Sequence, residues 1–167
     1  MQNRVCEDED YLYFVHGASV VSGQTFGAID PSKGGGDFGR GFYTFKLCDT
    51  DHETALKTAK DRARRKIKPR SPKGYGRTLN KSIQSQDGCL IFCRIPKTVF
   101  DTLRACDESD YGYRQGDRFY PTDCDVIAGL MQYGDGKERY FNLPKQYKFE
   151  NMGITALEIV ECDYSLE

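Results

Sequence analysis

Residues 34–45 read GGGDFGRGFYTF, a glycine-rich segment that runs directly into an aromatic, strand-like tail. Its first six residues match the G-x-G-x-x-G spacing of dinucleotide-binding loops. Such a loop follows a strand and opens a helix, whose N-terminus meets the pyrophosphate. Here residues 30–33 (DPSK) precede the glycines and residues 42–45 (FYTF) follow them, so the context of that fold is missing.

A protein kinase would need a V-A-I-K lysine and an H-R-D loop, and the sequence contains neither. Two interpretations of this segment then remain open. Glycine has no Cβ, so the segment could let a flat ligand approach closely while the following strand presents Phe42 and Tyr43. Alternatively, it is a turn whose two aromatic rings pack in the core.

The composition indicates a single domain without a membrane segment. The chain has 167 residues, 38% of them hydrophobic, and it contains no apolar run of about 20 residues. The first residues, MQNRVCEDEDY, are acidic and lack the apolar core of an export signal. We therefore expect a cytoplasmic protein, or one delivered to a host cytosol without a cleaved signal peptide.

Seven cysteines are scattered through apolar segments, without a C-x-x-C pair, and the chain has two histidines. This pattern disfavours a zinc site, so no metal ligand is assigned. We expect the cysteines to be buried free thiols, as in a reducing cytosol. A cysteine hydrolase ranks last among the alternatives, because no spacing pairs one cysteine with His16 or His52.

The hydrophobic pattern predicts a mixed α+β domain that covers residues 1–167. A capping box of Thr50 and Glu53 predicts a helix that Pro69 ends, and a second helix is predicted over residues 97–106. Residues 68–88 are predicted to form a long, mobile, basic loop. The predicted strands are 11–15, which ends at His16-Gly17, and 41–45, 89–95, 125–131, 146–149 and 154–162.

Four segments occur in the order found in a known family. They are the strand ending in His16-Gly17, the D-F-G-x-G-F-Y motif of residues 37–43, DCDVIAG at 123–129 and QYKF at 146–149. Over about residues 11–160 the chain resembles small bacterial domains related to mono-ADP-ribosyltransferases. The resemblance implies two packed small β-sheets with flanking helices, and NAD⁺ as co-substrate.

The wider superfamily, which includes poly(ADP-ribose) polymerases and diphtheria toxin, binds NAD⁺ through a His-Tyr-Glu arrangement. By resemblance, His16 would hydrogen-bond the ribose, and the Gly17 backbone would hold the nicotinamide carboxamide. Tyr43 would stack on the nicotinamide ring. The resemblance assigns the rest of the motif to NAD⁺ binding as well, with Arg40 near the pyrophosphate and Phe38 closing the pocket: Phe38, Gly39, Arg40, Gly41 and Phe42.

The third catalytic position differs from the family pattern, because Gln146 stands where the superfamily has glutamate. Glu150 is predicted on the same strand face but about 13 Å away. An amide stabilises developing positive charge less than a carboxylate does. Weakening one such contact, worth about 2.7–4 kcal/mol, costs roughly 10²–10³ in rate. We therefore expect Gln146 to serve in transfer of a single ADP-ribose unit rather than in polymer formation.

The acceptor is left open. Some branches of the family are effectors that modify ubiquitin on threonine, so ubiquitin is the first protein acceptor to test. An NAD⁺-binding pseudoenzyme or an NAD⁺ glycohydrolase on the same fold is the first alternative. A nucleic-acid-directed enzyme is the second, suggested by the basic tract of residues 62–81 and by tyrosines 111, 113 and 120.

Overall fold

The computed structural model describes residues 7–33, 38, 40–47, 52–67, 86–107, 113–114, 117–118, 124–133 and 138–166. For residues 113–114, 117–118, 132–133 and 138–139 it describes the backbone alone. Its elements in chain order are β1 (Tyr11–Val21), a 3₁₀ turn (Pro31–Lys33), β2 (Phe42–Lys46), α1 (His52–Ile67), β3 (Gln86–Pro96), α2 (Lys97–Phe100), β4 (Ala105–Asp107), β5 (Tyr113–Arg114), β6 (Asp117–Arg118), β7 (Val126–Gly129), β8 (Gln132–Tyr133), β9 (Glu138–Arg139), β10 (Gln146–Phe149), α3 (Met152–Ala156) and β11 (Glu158–Asp163).

Seven of the strands form one sheet in the order β11-β3-β1-β2-β10-β7-β4. Neighbouring strands are antiparallel, except that β4 and β7 are parallel. The predicted mixed α+β class is confirmed. The two packed small sheets are not seen, because the pairs Phe14–Lys46 and Val15–Phe45 join β1 to β2 and make one continuous sheet.

Alternation along the strands places side chains on two faces of the sheet. The face against which α1 packs, here called the helix face, buries Val15, Phe45, Leu90 and Phe92 together with Ala55 and Ala59 of α1. The opposite face carries the larger core. That core contains Phe14, Ala18, Phe42, Ile91, Val126 and Phe149, covered in part by Phe26, Phe100, Ile154 and Leu157.

The hydrophobic pattern of the sequence predicted most of the helices and strands, but several of them begin or end at other residues than predicted. Strand β10 has the predicted bounds, whereas β1 continues six residues beyond its predicted end, to Val21. His16 and Gly17 therefore lie within a strand, because β1 stays paired with β3 as far as Val21–Gln86. The predicted helix over 97–106 ends at Phe100, and Ala105–Asp107 becomes strand β4 beside β7.

The predicted strand 154–162 was wrong in its first part, because residues 152–156 form helix α3. The turn before α3 is held by Asp125, whose carboxylate accepts a hydrogen bond from the Met152 amide at 3.1 Å. Gly153 lies so close to the Asp125 carbonyl that a Cβ would overlap it. This tertiary contact overrides the β-branched pattern of the segment.

The expectation that every cysteine is a free thiol was also wrong. Cys106 of β4 forms a disulfide with Cys124, which lies two residues before the start of β7. The parallel pairing of β4 with β7 brings these two positions together. Among the described residues Cys89, Cys93 and Cys162 are free.

Several predictions fall outside the described residues. They concern Thr50 of the capping box, Gly39 and Asp37 of the motif, Asp123, tyrosines 111 and 120, and the proposed mobile loop up to residue 85; residues 86–88 of that loop belong to β3. Of Tyr113 only the backbone pairing in β5 is described.

Candidate functional site

Strand β1 parts from β2 at the level of His16. The registered pairs between them are Phe14–Lys46 and Val15–Phe45, whereas β1 continues to Val21 on its β3 side. A cavity of about 470 Å³ lies along this stretch, within the range of about 300–1,000 Å³ typical of ligand pockets. Its wall consists of His16, Ala18, Ser19, Val20 and Val21 of β1, Gln24, Thr25, Phe26, Gly27, Ala28 and Asp30 of the following loop, Gly41, Phe42 and Lys66.

The backbone of Gly17 faces this parting of the strands. The Tyr13 carbonyl accepts a hydrogen bond from the Leu47 amide just past the end of β2. In an antiparallel strand every second residue directs its N–H and C=O to the same edge, so Gly17 shares the direction of Tyr13. The Gly17 carbonyl there accepts a hydrogen bond from the Lys66 ammonium at 2.6 Å. Gly17 is itself buried and is not among the residues that line the described cavity.

His16 is held in one tautomer at the cavity wall. Its Nδ1 atom lies 2.5 Å from the Tyr43 carbonyl oxygen, which can only accept, so Nδ1 carries the proton and Nε2 is left as an acceptor. Its ring stacks against Phe42, with ring centres 4.1 Å apart. Desolvation, and next the positive charge of Lys66, lower the pKa of His16 from 6.5 to about 3. The imidazole is therefore neutral at physiological pH.

Tyr43 is placed differently from the expectation. Phe45, which lies two residues after Tyr43 in β2, belongs to the core on the helix face, so the Tyr43 side chain lies on that face too. His16 lies on the opposite face, with Phe14 and Ala18. The Tyr43 hydroxyl accepts a hydrogen bond from the Phe38 amide at 2.8 Å. Tyr43 is not among the residues that line the described cavity. Its contacts make it an anchor of Phe38.

Phe38, expected to close the pocket, is completely buried instead. It packs with Cys106, Cys124 and Ile127, and Tyr43 lies against the same cluster. The Phe38 and Tyr43 rings are stacked at 6.4 Å. Phe38 of the motif is thus fixed in the core by its side chain.

Gln146 also lies on the helix face, where it is 3% exposed and pairs across the strands with Phe45 and Gly129. The described residues therefore do not bring His16, Tyr43 and Gln146 around one cavity. His16 and Phe42 share it, and Tyr43 and Gln146 lie on the other side of the sheet. The register of β1 against β2 sets this division.

Gly41 and Arg40 are the two further residues of the motif that the structure describes. Gly41 lines the cavity, and a Cβ there would meet Lys148 Cγ at 2.5 Å, so glycine is required for the close approach of that side chain. Arg40 is exposed next to Gly41.

A buried lysine that the sequence analysis did not identify holds Phe38 of the motif. Lys148 is 2% exposed, and its ammonium donates to the Phe38 carbonyl at 2.8 Å. The same ammonium forms an ion pair with Glu150 Oε2, an atom that has no aligned hydrogen-bond donor among the described residues. The signal in the sequence was the alternation of Gln146, Lys148 and Glu150, which puts all three on one strand face.

Lys66 was also missed as a site residue. Ala59 and Ala63 are fully buried and face the sheet, and Lys66 follows at the next helical position of that stripe. The sequence signal for Lys66 is a charged residue on the side of the helix that faces the sheet. Desolvation, and next the charge of Arg62, lower the pKa of Lys66 to about 8. Since Lys66 as a residue remains exposed, this desolvation concerns its ammonium end against Gly17.

The described part of the basic tract is largely engaged within the protein. Arg62 donates to the Met131 sulfur at 3.0 Å, Arg64 to the Leu166 carbonyl at 2.6 Å, and Lys66 to Gly17. Arg65 is exposed. These contacts do not favour a nucleic-acid surface on this part of α1.

The buried thiols are poor nucleophiles. Burial raises the pKa of the Cys89 thiol to about 11 and that of Cys93 to about 12, so little thiolate exists at neutral pH. Across the described residues no group of three or more histidines, cysteines and acidic residues is arranged to hold a metal ion. None of the helices in the described ranges has both the length and the apolar character needed to cross a membrane.

Comparison with protein-family models, with curated proteins and with solved structures found no match in any of the three.

Proposed function

We propose that the protein is a mono-ADP-ribosyltransferase, which transfers ADP-ribose from NAD⁺ to a protein acceptor and releases nicotinamide. The observation that carries the proposal is the parting of β1 from β2 beside the cavity, where a neutral His16 lies in the wall and the buried Gly17 follows it in the strand. The D-F-G-x-G-F-Y motif and the order of the segments add the family resemblance.

The residues at the cavity fit the nicotinamide riboside end of NAD⁺. A carboxamide has one acceptor and two donors, which match the N–H and C=O of a strand edge such as that of Gly17. His16, protonated on Nδ1, offers Nε2 as an acceptor for a ribose hydroxyl. Phe42 lies in the same wall, 5% exposed and with its ring against His16, and an offset ring stack is worth about 0.5–1.5 kcal/mol beyond buried area.

NAD⁺ would supply the ribose carbon whose bond to nicotinamide is broken. In the transfer, a hydroxyl of the acceptor forms a C–O bond to that carbon, and the electron pair of the broken C–N bond leaves with neutral nicotinamide. The hydroxyl proton passes to solvent. His16 and Gly17 orient the donor, because fixing both ends of the scissile bond is a large part of such catalysis.

Tyr43 and Lys148 take positioning roles in this proposal. Both hold Phe38, one through its amide and the other through its carbonyl, three residues before Gly41. Neither side chain is required to touch NAD⁺. Phe42 replaces Tyr43 as the ring proposed to contact the nicotinamide.

A second candidate is an NAD⁺-binding module without transferase activity. The observation that favours it is the position of Gln146, which lies on the helix face away from the cavity. Asp30 is then the acidic side chain among the residues lining the described cavity. Such a site stabilises the positive charge of the transition state less than a site with a catalytic glutamate does.

The test is incubation of the protein with NAD⁺ labelled on the adenylate phosphate, with ubiquitin and with a cell lysate as acceptors. Nicotinamide is measured by chromatography and label by gel. Nicotinamide release with label on a protein, lost in His16→Ala and kept in His52→Ala, supports the transferase. His52 is the matched control because it begins α1, outside the residues that line the cavity.

Other outcomes separate the alternatives. Nicotinamide release without labelled protein indicates a glycohydrolase. NAD⁺ binding without release indicates the binding module. Absence of NAD⁺ binding at millimolar concentration contradicts the proposal.

A further inference from the structure

Lys66 is a lysine in the wall of the described cavity. It lies in the last turn of α1 and lines the cavity together with His16 and Phe42. Its amine donates to the Gly17 carbonyl at 2.6 Å. The proposed transfer of ADP-ribose gives no role to this amine, so its chemistry is a separate question.

The surroundings of Lys66 disfavour a charge on its amine. Desolvation, and next the positive charge of Arg62, lower the pKa of Lys66 to about 8. Arg62 lies one helical turn earlier and donates to the Met131 sulfur. Two further titratable groups act on or near the amine and both are uncharged at neutral pH: the His16 imidazole and the Cys89 thiol. Within the part of the chain that the structure describes, no carboxylate pairs with Lys66 to restore the charge.

A neutral amine is the nucleophilic form of lysine. At pH 7 an amine of pKa 8 is neutral in about one molecule in ten, whereas an ordinary lysine amine is neutral in fewer than about one in a thousand. Desolvation and a neighbouring cation are the two means by which proteins activate lysine toward carbonyl compounds. Lys66 has both.

The fold fixes the base of this side chain and leaves its end adjustable. Helix α1 is held against β1 by the close contact between Gly17 and Ala59. The four-carbon stem of the lysine is flexible and the residue as a whole is exposed, so the amine can turn from the buried Gly17 carbonyl toward the cavity without movement of the helix. Val20, Phe26 and Phe42 in the cavity wall suit the hydrocarbon part of a ligand.

We propose that Lys66 is a nucleophilic site that captures a small aldehyde or ketone in the cavity as a Schiff base. The lone pair of the neutral amine forms a bond to the carbonyl carbon, and the electron pair of the C=O double bond moves to the oxygen. One proton passes from nitrogen to oxygen and gives a carbinolamine. The hydroxyl then leaves as water with the second nitrogen proton, and a C=N bond forms. The step needs no oxidant or reductant, and it is independent of the proposed transfer from NAD⁺.

The test treats the folded protein at pH 7 with butyraldehyde and cyanoborohydride, which reduces an imine to a stable secondary amine. Peptide mapping by mass spectrometry gives the labelling rate at each lysine. Lys57 is the matched comparison, because it lies on the same helix with an 80% exposed side chain. The variant Lys66→Arg shows how much of the total labelling depends on this amine, and thermal melting checks that the variant is folded.

We expect Lys66 to be labelled at least about tenfold faster than Lys57, because far more of its amine is neutral. The rate at Lys66 should level off as the butyraldehyde concentration rises, since binding in the cavity precedes the reaction, whereas the rate at Lys57 should rise in proportion. Labelling of Lys66 no faster than that of Lys57 overturns the proposal. Fast labelling without saturation overturns it too, because the amine is then reactive but the cavity does not bind the carbonyl compound. The test contains no NAD⁺, so either result leaves the proposed transferase to its own experiment.

Discussion

Gly17 of β1 lies directly against Ala59 of α1, so close that a Cβ on Gly17 would overlap the Ala59 carbonyl oxygen and come within 3.0 Å of the Ala63 amide nitrogen. The sequence identifies Gly17 by its place after a histidine, and no local pattern predicts this contact with α1. The side that would carry a Cβ faces the helix, and the peptide groups face the strand edge. One glycine therefore serves both helix packing and the candidate site.

Gly17→Ala is expected to lower the free energy of unfolding by about 3 kcal/mol, because the obstructing atoms are helix backbone and α1 must move as a unit. Urea unfolding followed by circular dichroism measures the change. Gly27→Ala is the control: a Cβ at Gly27 has no atom within 4 Å, so it should cost less than about 0.5 kcal/mol. Equal stability of the two variants would contradict the described packing.

Tyr43→Phe keeps the ring but removes the acceptor of the buried Phe38 amide. We expect a loss of about 1–3 kcal/mol in unfolding free energy and faster hydrogen exchange at Phe38. Tyr164→Phe removes a similar acceptor from the Phe26 amide at an exposed position, where water replaces it. If the Tyr43 hydroxyl has no role as an anchor, the two variants will be equally stable.

Lys148→Met leaves Glu150 and the Phe38 carbonyl without their cation. We expect a cost of about 3 kcal/mol, since breaking a buried pair leaves an uncompensated charge. The double variant Lys148→Met with Glu150→Gln should recover part of this loss. Lys145→Met is the control, because its pair with Asp107 is about half exposed on both sides and should contribute less than about 1 kcal/mol.

The disulfide between Cys106 and Cys124 spans a sequence separation of 18 residues. Closing a loop of this size stabilises a protein by about 3 kcal/mol, so a reducing agent should lower the melting temperature of the wild type. The double variant Cys106→Ser with Cys124→Ser should melt at a lower temperature and show no response to reductant. Peptide mapping without reduction identifies the linked pair, and a wild type indifferent to reductant would argue against it.

The lowered pKa of His16 predicts that the free energy of unfolding decreases as the pH falls. Its pKa is about 3 in the folded chain and near 6.5 when unfolded, so between these values the unfolded state binds more protons. The stabilising effect of neutral His16 is therefore fully present above pH 6.5 and is lost as the pH falls toward 3. Because His16 lines an open cavity, solvent screens part of the penalty, and the slope should stay below about 1.4 kcal/mol per pH unit.

The measurement is unfolding by urea at several pH values from 7 to 4 for the wild type and for His16→Gln. In His16→Gln the free energy of unfolding should decrease less steeply between pH 7 and 4 than in the wild type. Parallel profiles for the two proteins would mean that His16 is protonated normally in the folded state.

Local patterns were sufficient for most of the secondary structure. The helical spacing of Ala55, Ala59 and Ala63 predicted α1, and the alternation in residues 146–149 predicted β10 with its bounds. Both depend on side chains a few residues apart, which the chain itself keeps close. The mixed α+β class followed from these elements.

The composition of the site depended on contacts between distant segments. The pairing of Val15 with Phe45 puts His16 and Tyr43 on opposite faces, and no local pattern encodes that register. Lys66 reaches Gly17 across 49 residues, Lys148 reaches Phe38 across 110, and Cys106 reaches Cys124 only because β4 lies parallel to β7. Periodicity tells which side of its own strand or helix a residue takes, whereas packing of the whole chain decides which other side chain it meets there.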